Sequence, residues 1–167
     1  MSVANLFDVE LKRDEGDPPG YDVGYVRLGP LIGSAELGLS VYELPPGRSI
    51  CPYHYEIGFE EWLIVLSGRP TLRTPEGEQE LRVWDAVFFP DGEDGAHKVT
   101  NRTDETLRVA MLSNKGDPGV AVYPDSNKVG AWPPGKLFRL EDAVDYWERE
   151  LPPGTEYGER RPEPEPS

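Results

Sequence analysis

Cysteine and histidine are both scarce: the 167 residues contain one Cys and two His. With Cys51 alone no intrachain disulfide can form, which excludes a disulfide-stapled secreted scaffold. Basic residues are few as well, 17 Lys and Arg against 31 Asp and Glu, for a formal charge of −14. That balance speaks against a nucleic-acid partner, whose affinity comes largely from Lys and Arg neutralising phosphates. It speaks against an anionic membrane surface for the same reason. No apolar run approaches the roughly 20 residues of a membrane-spanning helix. The opening MSVANLFDVELKRDEGD has no basic segment followed by an apolar run and a small-residue cleavage site, so no secretory leader is expected. The expected location is cytoplasmic.

Helical periodicity is nearly missing too. What the chain has instead is 18 Gly and 18 Pro, interleaved from Tyr25 to Pro124 with short β-branched and aromatic runs. Strands are expected at 24–28, 36–44, 50–56, 61–67, 71–74, 79–83, 86–89, 97–100, 107–113 and 120–123, with turn signals such as Pro45-Pro46-Gly47 and Pro90-Asp91-Gly92 between them. So many short strands at close spacing predict an all-β sandwich or barrel. One helix is expected over Leu140–Arg149, with acids in its first turn and Pro152-Pro153 to stop it. The organisation read from this is an N-terminal arm (1–23), a barrel (24–124), a C-terminal extension with a short helix (125–157) and an acidic, Pro-rich tail (158–167).

The two histidines carry the chemistry. His54 and Glu56 stand two apart in an extended segment, so their side chains project to one face. Glu61 opens the apolar run Trp62-Leu63-Ile64-Val65-Leu66, where a carboxylate is costly to bury without a partner. His97 follows a Gly-flanked turn and leads into a strand. A barrel mouth would gather all four, and imidazole with carboxylate suits Fe, Mn, Ni, Cu or Zn. Taken singly, each has a plainer reading: a turn cap, a hydrogen-bonded core histidine, a solvated strand-end charge. Their spacing favours a site. Cys51 reads as a buried or turn thiol, Tyr53 and Tyr55 as packing residues, and Asp91, Glu93 and Asp94 as loop surface. Lys98 and Arg102 are either solvated or a contact for an anionic substrate. Phe88, Phe89, Leu63, Val65, Val109 and Met111 read as ordinary core or as the lining of a pocket.

Pro45-Pro46-Gly47, His54-x-Glu56, Glu61 and Gly68 together resemble the first signature of the cupin superfamily, and Pro90-x-Gly92, His97 and Asn101 resemble the second. Tyr123-Pro124-Asp125-Ser126-Asn127-Lys128-Val129-Gly130 and Val144-Asp145-Tyr146-Trp147 are similar to a bacterial branch of single-domain cupins, some labelled sugar-phosphate isomerases. The resemblance implies a double-stranded β-helix, a small antiparallel barrel. It also implies a divalent metal at His54, Glu56, Glu61 and His97, with Glu56 in the slot of the usual second His. Trp84 departs from the second signature, which normally has Gly there, and the gap from Gly47 to His54 is one residue longer than the common form.

Three readings of Glu56 stay open: a fourth ligand in a harder set that suits Fe or Mn, a catalytic general base beside a two-His-one-carboxylate triad, or the mark of a lost site. The function implied is metal-assisted oxidation of a dioxygenase-like kind, or isomerisation, of a small polar metabolite. The alternative is a small-molecule-binding or sensor module without turnover. A homodimer is expected by analogy, through edge strands or a swapped strand from Leu28 to Val41.

Overall fold

The computed structural model describes residues 1–115 and 118–155. The β-branched and aromatic runs form twelve strands among these residues: β1 (Gly24–Arg27), β2 (Leu37–Leu44), β3 (Tyr55–Ile57), β4 (Glu61–Ser67), β5 (Thr71–Thr74), β6 (Gly77–Glu80), β7 (Ala86–Phe89), β8 (Lys98–Thr100), β9 (Leu107–Asn114), β10 (Gly119–Tyr123), β11 (Lys128–Trp132) and β12 (Lys136–Arg139). One short helix, α1 (Leu28–Ile32), follows β1. No described helix is long and apolar enough to cross a membrane.

The strands pair antiparallel in three sheets, ordered β1-β2-β9-β4-β7, β12-β11-β10-β3 and β6-β5-β8. The bridges Ser49↔Thr100 and His54↔His97 tie the two smaller sheets together opposite the first. Alternation along each strand sends one set of side chains inward. Leu44, Leu63, Val65, Leu72, Phe89, Val99, Leu107 and Val109 meet there as the core. On the outer face of the five-stranded sheet, Val26, Leu28, Val41, Leu66 and Ala110 are covered by Ala4, Leu6, Val9 and Leu11 of the N-terminal segment. The fold is the expected all-β double-stranded β-helix.

Several local expectations change. The strand expected at 50–56 shrinks to β3 and the two bridges, since Pro52 brings no N–H to a ladder. The strand expected at 79–83 sits at Gly77–Glu80, in a tight hairpin whose last pair is Thr74↔Gly77. The helix expected over 140–149 is reduced to the 3-10 turn Leu140–Asp142. Val144, Tyr146 and Trp147 are exposed, so no apolar face holds a longer helix together. The segment Leu28–Val41 is not one continuous strand: it begins as α1, turns left-handed at Gly33, and continues into β2. β2 is hydrogen-bonded on both edges, to β1 and β9. The 158–167 tail lies outside the described residues.

Candidate metal centre

His54 and His97 face each other across an antiparallel bridge. The His54 N–H donates to the His97 carbonyl at 3.2 Å, and the His97 N–H to the His54 carbonyl at 2.8 Å. Directly opposed residues share a face of the ladder, and the ring centroids lie 4.8 Å apart. His54 Nδ1 is 3.1 Å from the Pro52 carbonyl, and His97 Nδ1 is 2.9 Å from the Gly95 carbonyl. A carbonyl only accepts, so each Nδ1 carries the proton and each Nε2 turns a lone pair towards the site. Phe89 stacks on the His97 ring at 3.7 Å and Tyr123 on the His54 ring at 5.9 Å. Both imidazoles are buried.

Glu61 begins β4, between Phe89 of β7 and Ser113 of β9. Its Oε2 lies 3.6 Å from His97 Nε2, and Glu56 Oε1 lies 3.7 Å from His54 Nε2. Burial pushes the Glu56 carboxyl up to about 7. The Glu61 carboxyl is pushed up to about 7, by burial first and the Glu56 charge second. Burial lowers the His54 imidazole, and burial together with the His54 charge lowers that of His97 to about 4. With neutral imidazoles these contacts are not ion pairs, and they are too long for hydrogen bonds. They are gaps between donors.

The donor atoms of His54, Glu61 and His97 all lie within 4.8 Å of one another. This donor set fits a divalent ion: two neutral imidazoles fixed through Nδ1, and a partly buried carboxylate with no Lys or Arg in salt-bridge range among the described residues. Glu56 stands beside this group but is not part of it.

The loops are tied to match. The Gly92 N–H donates to the Glu56 carbonyl, and the Gly58 N–H to Asp91 Oδ1. Gly95 has no room for a side chain, since a Cβ there would sit 1.9 Å from the Pro90 carbonyl oxygen. Asn101 is structural: fully buried, its Nδ2 donates to the Leu44 and Glu105 carbonyls and its Oδ1 accepts from Thr103.

The remaining candidates lie elsewhere. Cys51 is 3.5 Å from His54 Nδ1, and burial pushes its thiol up to about 12, which leaves it an inert packing group. Tyr53 packs beneath the Arg73 guanidinium. Lys98 donates to the Tyr21 hydroxyl, and Arg102 pairs with Glu78, so neither serves the site. Phe88 is partly exposed against Trp62 on the outer face, whereas Phe89 is buried.

Above the carboxylates opens a cavity of about 500 Å³ lined by Arg27, Glu56, Phe59, Glu61, Ser113, Gly119, Tyr123 and Trp132. Sequence reasoning named only the two glutamates of this set as site residues. The Trp132 ring packs against Gly130, where a Cβ would come within 2.4 Å of it. The Trp-Gly proximity in Gly130-Ala131-Trp132 is a faint signal for such a wall. Arg27 carries none in the sequence.

A barrel of facing antiparallel sheets with imidazoles and carboxylates gathered between them defines a double-stranded β-helix protein. Within that class, residues 40–113 match the Cupin_2 family, described as a cupin domain. Among solved structures, a candidate sugar phosphate isomerase from Acidithiobacillus ferrooxidans is 28% identical over 76% of this chain and 82% of its own, with a TM-score of 0.70. A sugar phosphate isomerase of the cupin superfamily from Silicibacter pomeroyi is 21% identical over 88% and 98%, with a TM-score of 0.76. The polyketide cyclase RemF from Streptomyces resistomycificus is 23% identical over 71% and 83%, with a TM-score of 0.58. The last two establish the fold alone. No curated protein matches the chain in sequence.

Proposed function

We propose that the protein is a metal-dependent isomerase of a small polar metabolite, its ion held by His54, Glu61 and His97 and its protons moved by Glu56. The observation that carries this reading is the mutual approach of the three donor groups to within 4.8 Å, with both Nε2 lone pairs aimed inward. Two imidazoles with one carboxylate suit iron or manganese; nickel, copper and zinc accept the same donors. A bound divalent ion supplies Lewis acidity to a carbonyl or hydroxyl oxygen of the substrate.

Glu56 stands beside the three donors, and its carboxyl ionises near neutrality in the metal-free site. A carboxylate so placed takes a proton from the carbon next to a carbonyl and returns it one carbon along, the essence of an aldose–ketose interconversion. Phe59, Tyr123 and Trp132 wall the cavity beside the two carboxylates. The isomerase description of the 28% identical Acidithiobacillus structure supports this choice over oxidation. The dioxygenase-like reading uses the same three ligands and draws on the facial arrangement that the set of three, without Glu56, allows.

The test is proton exchange in deuterated water, followed by NMR, with manganese-loaded protein and a panel of aldoses, ketoses and their phosphate esters. Deuterium should enter at the carbon next to the carbonyl. Glu56→Gln should slow that entry by about 10²-fold or more while keeping its metal. Oxygen consumption in place of exchange would favour the oxidative reading. Metal uptake with neither would leave a binding or sensor module.

A further inference from the structure

Arg27 ends β1 and pairs with Ser40, which pairs in turn with Met111 and, beyond it, Leu63. Leu63 and Met111 belong to the inner core, while the neighbours Val26 and Leu28 belong to the outer one. The register therefore starts the Arg27 side chain on the inner face, one rung along from Gly38, Ser113 and Glu61. Between Arg27 and Glu61 in this register stand Ser40, Gly38, Ser113 and Met111. All but Met111 are small, and a Cβ on Gly38 would already lie 2.9 Å from Ser113 Oγ.

Arg48, Arg73, Arg102 and Arg108 each have a carboxylate partner. Arg27 has none among the described residues, although the overall charge is −14. It is also the one basic residue among the described residues lining the 500 Å³ cavity, with Phe59, Tyr123 and Trp132 in the same lining. A guanidinium is a planar fork matched to carboxylate and phosphate oxygens, and a cavity of this size takes a small metabolite.

We infer that Arg27 is the anion-recognising residue of the cavity, and that the ligand is a small acid. Its carboxylate or phosphate end meets Arg27, and its oxygen-bearing end reaches the His54, Glu61 and His97 group. The second half of this inference rests on the metal reading above. The Arg27 contact selects acids over neutral polyols of the same length, and the aromatic wall limits the chain between the two ends.

The experiment is calorimetric titration of glycerol, glycerate and glycerol 3-phosphate into wild type, Arg27→Met and Arg27→Lys, each manganese-loaded and metal-free. Wild type should bind at least one of the two acids about tenfold or more tightly than glycerol. The acid that binds more tightly identifies the end group as carboxylate or phosphate. Arg27→Met should lose that preference while keeping its manganese stoichiometry and thermal midpoint, and Arg27→Lys should recover part of it. Equal acid binding by wild type and Arg27→Met, or no preference for either acid over glycerol in wild type, overturns the inference. Failure of wild type to take up manganese overturns the metal reading instead, and the metal-free titrations then decide the role of Arg27.

Discussion

At the scale of single residues, the site holds its donors in unequal protonation states. The Glu56 and Glu61 carboxyls, normally near 4.5, keep their protons up to about 7, whereas His97, normally near 6.5, stays neutral down to about 4. An ion needs the carboxylate and the free imidazole lone pairs. Metal uptake at pH 6 should therefore release protons from carboxyl groups, with the release fading by pH 8.5. Calorimetry in buffers of different ionisation enthalpy measures this, and a release unchanged at pH 8.5 would contradict the assignment. The sign for stability follows the same shifts. A carboxyl whose folded value is raised gives a contribution fully present below about 4.5 and lost as pH rises through about 7. A bound ion restores stability in that upper range. His54, Glu61 and His97 were legible in the sequence because two histidines in one chain, at these spacings, leave few alternatives. Arg27 and Trp132 were not, because only strand pairing brings such distant residues to one cavity.

At the scale of elements, the turn Arg82–Asp85 shows what a departure from pattern does. Trp84 stands where the second cupin signature has Gly, and its φ is +73°. The turn has kept the left-handed backbone that glycine adopts freely and imposed it on a bulky residue. The surrounding bonds hold it: the Trp84 N–H donates to the Val65 carbonyl, and the Arg82 N–H to Asp85 Oδ2. The Trp84 ring is largely exposed and contributes little packing. Trp84→Gly should therefore stabilise the protein by about 1 kcal/mol, the left-handed cost less the extra chain entropy of glycine. Urea unfolding checks this, and a loss of stability would show that the ring packs more than its exposure indicates. Most strands were legible from β-branched runs between Gly and Pro. β11 and β12 were not, since Lys128–Trp132 and Lys136–Arg139 are short and Lys-bearing, and β12 is exposed throughout. Their apolar signal is weak, and pairing to β10 decides them. The C-terminal helix failed for the opposite reason: its pattern was plausible, but among the described residues Tyr146 and Trp147 stay exposed.

At the scale of the molecule, the barrel turns a scarcity into a site. Two histidines some forty residues apart become cross-strand partners, and a strand-opening glutamate meets them. The inner core anchors two of the three, Leu63 next but one to Glu61 and Val99 next but one to His97, and the bridge to His97 holds His54. A chain of 167 residues is long enough to bury a core without a disulfide. The central claim is that His54, Glu61 and His97 hold one ion. It is tested most directly by elemental analysis of protein purified without an affinity tag or added metal, for wild type, His54→Ala and His97→Ala. The account predicts close to one iron or manganese per wild-type chain and loss of it in both variants. Retention of the ion in both variants, or no uptake by wild type of Fe, Mn, Ni, Cu or Zn on reconstitution, would contradict it.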